Sequence, residues 1–396
     1  MSGFERLLAS RTKYMDASAI REILKVVAQP GMISMAGGLP AASSFPIDLF
    51  PHLVETTLNK YGAKALQYDL TEGFMPFREQ LVGLLAGRGI KTGSNQVIVS
   101  SGSQGTLDGL GKVLLSEGDI VAVEAPTYLG ALQSFSPYAP TYAQIQTDDH
   151  GAIPESLDEV LSANDVKMVY LVPTFQNPTG RTLTLERRKQ IAEIVKRRNV
   201  LLIEDDPYSA LRFRGDTVPP IHTLAPDHTV YISTMSKIMS PGLRLGFVVA
   251  PEPIRHWLIL AKQGTDLHTS TFAQAIAAEY LSGDYLAAQI PKIVDIYRPR
   301  QEALLRSMEE DFPADFSWTR PDGGMFVWVT APTGFDVGAL YDLCIERGAA
   351  FVPGRFFYTQ PGAGLDTMRL SYVTNDEGTL SKGIAIIGEA IAELSE

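Results

Sequence analysis

Short runs of apolar and β-branched residues recur through the middle of the chain, separated by longer amphipathic stretches. The runs are continuous rather than alternating, which is typical of strands buried on both faces of a sheet. They cover residues 97–100, 120–123, 168–172, 200–203, 230–232 and 246–249. The pattern predicts a large α/β domain with a mostly parallel sheet flanked by helices.

The two ends of the chain follow a helical pattern more often than a strand pattern. Apolar residues three and four apart predict an amphipathic helix over 16–27. Near the carboxyl end the pattern predicts helices over 290–310, 337–347 and 380–394 and strands over 324–329 and 368–372. We expect residues 49–290 to form the large domain and residues 291–396 a smaller α+β domain. The N-terminal segment 1–48 is expected to pack with the small domain.

Composition and charge exclude several classes of protein. The 396 residues include 45 acidic and 34 basic ones, a net charge of −11, which is unsuited to nucleic-acid binding through phosphate neutralisation. No apolar run is long enough to predict a membrane span. The single cysteine, Cys344, excludes an internal disulfide and a thiolate zinc site, and favours a cytoplasmic location.

Sequence motifs of several common enzyme classes are absent. The chain has no phosphate-binding G-x-x-x-x-G-K-[ST] loop, and its glycines at 102, 105, 109 and 111 do not form a dinucleotide fingerprint. The six histidines lack metal-ligand spacing, and no G-x-S-x-G elbow is present. These absences disfavour metal, nicotinamide and serine-hydrolase chemistry.

Polar side chains follow several of the predicted strands. Ser103 lies between the strand at 97–100 and a helix, where backbone N–H groups can hold a phosphate, although a plain turn is the alternative. Asn177, Asp205 and Lys237 each follow a later strand. Open α/β sheets bind ligands at the carboxyl ends of their strands, so we expect these residues to share one crevice.

The motifs resemble those of fold-type I pyridoxal-phosphate enzymes, the aspartate aminotransferase superfamily. The spacings of 28 residues from Asn177 to Asp205 and of three from Asp205 to Tyr208 match that family. The resemblance covers nearly the whole chain, and the motifs more closely resemble the branch that contains 2-aminoadipate and kynurenine aminotransferases. The motifs that carry this resemblance are A-G-G-L-P at 36–40, Q-Y at 67–68, G-S-Q at 102–104, F-Q-N-P-T-G at 175–180, S-K at 236–237, P-G-L-R at 241–244 and G-G-M-F at 323–326.

The resemblance implies three catalytic residues. Lys237 would bond covalently to the aldehyde of pyridoxal 5′-phosphate (PLP) and then move the α-proton of the substrate. Asp205 would pair with the pyridine nitrogen, with its neighbour Asp206 as the rival candidate. Tyr208 would hydrogen-bond the phenolic oxygen of the cofactor.

The resemblance also implies how the cofactor is held. Tyr128 would stack on the pyridine ring, with core packing as the alternative. Tyr68 resembles a tyrosine that reaches the phosphate from the neighbouring subunit, which implies a homodimer with shared active sites. The residues implied for the phosphate in the same subunit are Ser103, Gln104, Thr234, Ser236 and Arg244.

Substrate recognition is implied for four residues. Asn177 and Arg369 match the pair that binds the α-carboxylate, which Arg can hold in a bidentate geometry. Gly38 lies in a glycine-containing loop that permits close approach of the backbone. Arg21, on the predicted helix 16–27, either meets a carboxylate of the substrate side chain or is a solvated residue on the polar face.

The function implied by the resemblance is ping-pong transamination. The amino donor would be 2-aminoadipate or an aromatic or branched-chain L-amino acid, and the acceptor a 2-oxo acid such as 2-oxoglutarate. Two alternatives stay open from the sequence. One is a different PLP reaction, as a β-lyase, decarboxylase or racemase, and the other is a non-catalytic PLP sensor.

Overall fold

The computed structural model describes residues 3–15 and 31–395. The predicted helix over 16–27, and Arg21 with it, lies outside the described residues. The strands are β1 (Ile33–Ser34), β2 (Val97–Ser100), β3 (Ile120–Glu124), β4 (Thr141–Ile145), β5 (Thr147–Asp148), β6 (Gly151–Ala152), β7 (Val166–Leu171), β8 (Leu201–Asp205), β9 (Thr229–Thr234), β10 (Gly246–Val249), β11 (Ser317–Trp318), β12 (Phe326–Thr330), β13 (Ala349–Ala350), β14 (Val352–Pro353) and β15 (Thr367–Ser371). The α-helices are α1 (Phe50–Tyr61), α2 (Met75–Gly87), α3 (Ser103–Leu114), α4 (Leu129–Phe135), α5 (Pro154–Ala163), α6 (Leu185–Arg198), α7 (Ile254–Asp266), α8 (Thr271–Ser282), α9 (Tyr285–Asp311), α10 (Val337–Glu346) and α11 (Glu377–Ser395).

The larger sheet contains all six strands expected from the continuous apolar runs. Among the described residues it has seven strands in the order β2-β10-β9-β8-β7-β3-β4. Strand β10 is antiparallel to both neighbours, and the other pairings are parallel. The mostly parallel α/β architecture is therefore confirmed. Strand β4 was not predicted, because this half-buried edge strand interleaves polar residues with apolar ones.

Successive residues of the central strands point to opposite faces of this sheet. On one face, Tyr170 and Ile203 belong to a core that also includes Leu107 of α3 and Leu258 of α7. On the other face, two further cores are formed with α2 and α8 and with α5 and α6. The sheet is thus covered on both faces, which explains why its strands carry continuous apolar sequence.

A second, antiparallel sheet follows in the order β11-β12-β15-β14. Helices α9 and α11 pack closely against each other beside it, and the short parallel pair of β1 and β13 ties residues 33–34 to this part of the chain. These elements form the expected α+β unit. The proposed domain boundary at residue 291 falls inside α9, and the boundaries stay a prediction.

Two features are absent from the described parts of the chain. None of the helices there has the length and apolar character needed to cross a membrane. In the same residues, no cluster of His, Cys, Asp and Glu side chains is arranged to hold a metal ion.

Candidate active site

A cavity of about 300 Å³ lies at the carboxyl ends of β8 and β9, facing β12 and β15 of the second sheet. Of the predicted site residues that the structure describes, it brings together all but Tyr68. The lining residues are Gly38, Leu39, Pro40, Ser103, Gln104, Tyr128, Val172, Asn177, Asp205, Pro207, Tyr208, Thr234, Ser236, Lys237, Pro241, Arg244, Phe326 and Arg369.

Lys237 follows β9 and projects into this cavity, where its side chain is half-buried. Its Nζ donates a hydrogen bond of 3.0 Å to the carbonyl oxygen of Gly38. Burial lowers the pKa of Lys237 to about 8, and the positive charges of Arg369 and Arg244 act in the same direction. A much larger fraction of this amine is therefore neutral near physiological pH than of an ordinary lysine, which makes it a competent nucleophile and base.

Asp205 is the last residue of β8 and is almost completely buried. Its Oδ2 accepts a 2.8 Å hydrogen bond from the hydroxyl of Tyr170, whereas Oδ1 is buried without a partner in the protein. Burial raises the pKa of Asp205 to about 7; the charge of Asp206 adds to this effect and the Tyr170 hydrogen bond opposes it. Asp205 thus presents one unpaired oxygen to a donor in the cavity.

Asp206 points to the opposite face of the sheet. Its Oδ2 accepts a hydrogen bond of 2.7 Å from Tyr231, and its Oδ1 accepts one of 3.1 Å from the backbone N–H of Ser209. Its carboxylate also lies 3.7 Å from the guanidinium of Arg88. Because both oxygens already have partners on that face, Asp206 is geometrically the weaker of the two candidates for a cofactor contact.

The start of α3 and the segment after β9 form a polar cradle at one end of the cavity. Gly102 precedes α3 with φ +80°, and a Cβ there would lie 2.4 Å from Nη2 of Arg244. Ser103 begins α3, so its backbone N–H is one of the free donors of the helix start. The hydroxyls of Thr234 and Ser236 lie 2.9 Å apart on the other side. Helix start, hydroxyls and guanidinium together suit a phosphate.

Gln104 is more constrained than the sequence predicts. Its Nε2 donates hydrogen bonds of 2.7 Å to the carbonyl oxygen of Gly130 and 2.6 Å to the hydroxyl of Ser134. The side chain therefore ties the start of α3 to α4. What remains for a ligand is its backbone N–H and its amide oxygen.

Two tyrosines form walls of the cavity. Tyr128 lies directly before α4, half-buried, and burial raises its pKa to about 12. Tyr208 lies three residues after Asp205, and its ring is perpendicular to that of Phe326 with centroids 6.1 Å apart. Burial raises the pKa of Tyr208 as well, so both hydroxyls are protonated donors at neutral pH.

Arg369 lies on β15, buried at the second sheet. Its Nη1 donates a 2.7 Å hydrogen bond to Oδ1 of Asn177, and its Nη2 donates one of 2.6 Å to the carbonyl oxygen of Ala36. The guanidinium carbon lies 4.2 Å from the ring centroid of Phe326, in a cation–π contact. Burial lowers the pKa of Arg369 to about 10, and its Nε has no partner among the described residues. A rigid cation with a free edge is suited to bind a carboxylate.

Sequence reasoning missed several contributions to the site. The sequence pattern predicts that Phe326 is a core residue of a strand. In the structure its ring contacts both Arg369 and Tyr208. The sequence pattern predicts that Tyr170 is part of a buried strand. Its position near Asp205 follows only from the pairing register of β7 with β8. Leu39 and Pro40, next to the predicted Gly38, also line the cavity.

One predicted residue that the structure describes, Tyr68, does not line the cavity of its own chain. Tyr68 is 76% exposed, and its ring contacts that of His268 at a centroid distance of 5.6 Å. Its predicted role requires a second subunit. Arg21 lies outside the described residues.

Comparison with known proteins agrees with the resemblance that the sequence motifs indicate. The family model described as aminotransferase class I and II matches residues 41–386. The chain is 40% identical to aromatic-amino-acid aminotransferase 1 of Thermococcus litoralis, with 98% of this chain and 95% of that protein covered.

Two solved structures are similar over nearly their whole length. The kynurenine aminotransferase of Pyrococcus horikoshii, in complex with PMP, is 42% identical with a TM-score of 0.95, covering 99% of this chain and 98% of that one. The alpha-aminoadipate aminotransferase of Thermus thermophilus, complexed with N-(5′-phosphopyridoxyl)-L-leucine, is 35% identical with a TM-score of 0.91, covering 99% of each chain.

Proposed function

The chain belongs to the aminotransferase class I and II family of PLP-dependent enzymes, and from this premise we propose that it transfers amino groups between an L-amino acid and 2-oxoglutarate by a ping-pong mechanism. The observation that carries the proposal is the single cavity in which Lys237, Asp205 and the pair of Arg369 with Asn177 converge. These are the side chains that such a reaction needs at the α-carbon, the cofactor ring and the substrate carboxylate.

The residues present fit PLP on features of this chain alone. The unpaired, buried Oδ1 of Asp205 can accept a hydrogen bond from a protonated ring nitrogen. The space that a Cβ at Gly102 would fill lets Arg244 approach the start of α3, where a phosphate would be held. Lys237 lines the same cavity, so its side chain can reach the space between Asp205 and the start of α3. We assign Asp205 rather than Asp206 to the ring nitrogen on this geometry.

Lys237 is the residue that handles the proton. PLP, when bound, supplies a ring that accepts the electrons released at the α-carbon. The Nζ of Lys237 would take the proton from the substrate α-carbon as a general base and deliver it, as a general acid, to the carbon that was the aldehyde of the cofactor, which its lowered pKa of about 8 permits near neutral pH. The ionised Asp205 stabilises a positive charge on the ring nitrogen.

Arg369 and Asn177 orient the substrate. The guanidinium is fixed by Phe326 on its face and by Asn177 and Ala36 at its nitrogens, so a carboxylate bound there has one position. Holding the carboxylate in place directs the α-hydrogen toward Lys237 and disfavours loss of the carboxylate itself. This arrangement favours transamination over decarboxylation.

For the amino donor we propose 2-aminoadipate or an aromatic or branched-chain amino acid. The support comes from the names of the similar proteins, which include an aromatic-amino-acid, a kynurenine and an alpha-aminoadipate aminotransferase. Arg21 is retained as the candidate partner of an acidic side chain. Replacing Arg21 with alanine should lower the turnover of 2-aminoadipate relative to leucine, and an unchanged ratio would refute this role.

We further propose a homodimer in which Tyr68 reaches the phosphate of the partner's site. Its ring is exposed in the single chain, as a residue that completes a neighbouring subunit's site would be. A cytoplasmic location remains a prediction from the single, buried Cys344.

The test is a spectroscopic half-reaction. The purified protein is loaded with PLP, and its absorbance is recorded after separate additions of glutamate, 2-aminoadipate, leucine and phenylalanine. We expect conversion of the aldehyde form to the amine form, reversal by 2-oxoglutarate, and loss of both changes in Lys237→Ala.

The amino acid that converts the protein fastest identifies the donor class. If no amino acid changes the absorbance of the PLP-loaded protein, this result would contradict transamination and favour a sensor. Release of carbon dioxide or of the D-amino acid from these substrates would instead identify a decarboxylase or a racemase. Release of pyruvate, ammonia and a thiol from an added S-alkylcysteine, whose thiolate is the leaving group, would identify a β-lyase.

A further inference from the structure

A second polar network lies behind Asp205, on the face of the sheet away from the cavity. Its centre is Asp206, which the proposed chemistry does not use. Both carboxylate oxygens and both backbone polar groups of Asp206 have partners. The backbone N–H donates to the carbonyl oxygen of Ile232 at 2.9 Å, and the backbone carbonyl accepts from the hydroxyl of Ser233 at 2.7 Å.

Two hydrogen-bond relays run from one arginine to Asp206. Nη1 of Arg88 donates to the hydroxyl of Tyr231 at 2.6 Å, which in turn donates to Oδ2 of Asp206 at 2.7 Å. The same Nη1 donates to the hydroxyl of Ser233 at 2.9 Å, which donates to the backbone carbonyl of Asp206. Arg88 therefore fixes the residue next to Asp205 through both its side chain and its backbone.

Arg88 reaches this point from a distant part of the chain. It immediately follows α2, and its side chain is mostly buried beside that of Asp206. On its other side it borders a second cavity of about 610 Å³, whose walls include Leu84, Ile238 and Ile290. That cavity is separate from the candidate active site but shares the backbone between residues 205 and 210 with it.

We propose that Arg88 is a positioning residue for the PLP site, which acts through Asp206 to fix the carboxylate of Asp205. The inference rests on the proposed function, because it assumes that Asp205 pairs with the cofactor ring. Asp205 and Asp206 share one peptide bond, so a shift of the Asp206 backbone moves the carboxylate on the opposite face. A hydrogen bond to a charged group loses much of its strength when such a shift lengthens it.

Charge supports the same assignment. The negative charge of Asp206 raises the pKa of Asp205, so an unneutralised Asp206 would make Asp205 harder to ionise. Arg88 is the cation paired with Asp206 among the described residues. The ionisable side chains that surround or face Asp206 are Arg88, Arg188, Glu204, Asp205, His222 and Tyr231.

The experiment uses Arg88→Ala and measures the equilibrium dissociation constant of PLP by absorbance titration of the full-length protein. We expect an affinity at least about tenfold weaker than in the wild type, which corresponds to about 1.4 kcal/mol. Because Arg88 borders an open cavity, added ethylguanidinium can occupy the vacated space and is expected to restore most of the affinity. Ethylammonium and sodium chloride at the same concentration are the controls for charge and ionic strength.

Two further variants separate positioning from folding. Arg88→Ala combined with Asp206→Asn removes both charges and is expected to bind PLP more tightly than Arg88→Ala alone. Arg214→Ala is the matched control, since Arg214 also pairs with an acid, Glu302 at 2.8 Å, but away from the site. It should bind PLP like the wild type.

The outcomes are distinct. Wild-type affinity in Arg88→Ala would overturn the inference and leave the proposed function intact. Weak binding that neither ethylguanidinium nor Asp206→Asn improves would show a merely structural role and also overturn it. Failure of the wild-type protein itself to bind PLP would overturn the proposed function together with the inference.

Discussion

The hydroxyl of Tyr170 and Oδ2 of Asp205 are joined by a 2.8 Å hydrogen bond across two neighbouring parallel strands. Tyr170 pairs in register with Ile203, so Asp205, two residues further along β8, lies on the same face. Asp205 is the carboxylate with one oxygen held by the protein and one unpaired. Tyr170 thereby fixes the orientation of Asp205 and favours its ionised form.

Replacing Tyr170 with phenylalanine should impair catalysis most strongly at low pH. The hydrogen bond lowers the pKa of Asp205, so its loss should raise that pKa further above about 7. The acidic limb of the kcat/KM profile should move to higher pH, with about a tenfold loss near neutral pH, as expected for a hydrogen bond to a charged group. An unchanged pH profile with a uniformly lower rate would contradict this electrostatic role.

The raised pKa of Asp205 also predicts how the free energy of unfolding of the cofactor-free protein changes with pH. Its pKa is 3.8 in an unfolded chain and about 7 in the folded one, so the folded state holds the extra proton between those values. The contribution of Asp205 to the free energy of unfolding should therefore fall as the pH rises from about 4 to 7 and stay level above. Urea titrations of wild type and Asp205→Asn across this range test it, because the variant should lack this component.

Gly102→Ala should weaken cofactor binding without unfolding the protein. The backbone at Gly102 has φ +80°, and the new Cβ would lie 2.4 Å from Nη2 of Arg244. With ψ 166° this is a backbone conformation used almost only by glycine, so an alanine costs about 1–3 kcal/mol there, and the guanidinium must move away from the start of α3. We expect at least about a tenfold higher dissociation constant for PLP, equivalent to about 1.4 kcal/mol.

Gly105→Ala is the matched control for that measurement. Gly105 lies inside α3, and the atom nearest to a Cβ there is Cβ of Ser101 at 3.8 Å. This variant should keep the PLP affinity and gain up to about 1 kcal/mol in unfolding free energy from helix propensity. Equal PLP affinities in the two alanine variants would contradict the proposed cradle.

Arg369→Lys should reduce kcat/KM for every amino acid by about 100-fold or more, equivalent to about 2.7 kcal/mol. Lysine keeps the charge but loses the fork that contacts Asn177 and the flat face that stacks on Phe326. Arg355→Lys is the control, because Arg355 stacks on Phe356 at the surface. A loss that is confined to acidic substrates would assign Arg369 to the side chain instead of the α-carboxylate.

The sequence predicted the elements better than the contacts between them. Continuous apolar runs located the buried strands, whereas the half-buried edge strand β4 lacks such a run and was missed. The pairing of Arg369 with Asn177 was expected from motifs, although 192 positions separate them. No local pattern shows that Phe326 supports Arg369 or that Asp206 faces away from the cavity. Those facts depend on strand register and on the packing of two sheets.

Lys237 should be labelled by acetic anhydride at lower pH than an ordinary lysine. Its pKa is lowered from 10.5 to about 8, so the reactive neutral amine is dominant above that pH. Acetylation of Lys237 in the cofactor-free protein, followed by mass spectrometry, should rise through about pH 8 and level off about one pH unit higher. Labelling that still increases between pH 9 and 10.5 would contradict the lowered pKa.

The shared active site of the proposed homodimer predicts complementation between two defective chains. Lys237→Ala removes the amine from its own site, and Tyr68→Ala should damage only the site of the partner. In a mixed dimer, the chain that retains Lys237 receives the intact Tyr68 of the other chain, so one of the two sites is wild type. Random mixing makes half of the dimers mixed and should yield about a quarter of the wild-type activity.

Mixing is done by unfolding and refolding the two variants together, with each variant refolded alone as the control. Activity no greater than the average of the two separate variants would show that Tyr68 does not serve the neighbouring site. Light scattering on the same samples gives the oligomeric state, and a fully active monomer would contradict the dimer. Recovered activity in the mixture would require Tyr68 to act across the interface, because neither chain alone carries a complete site.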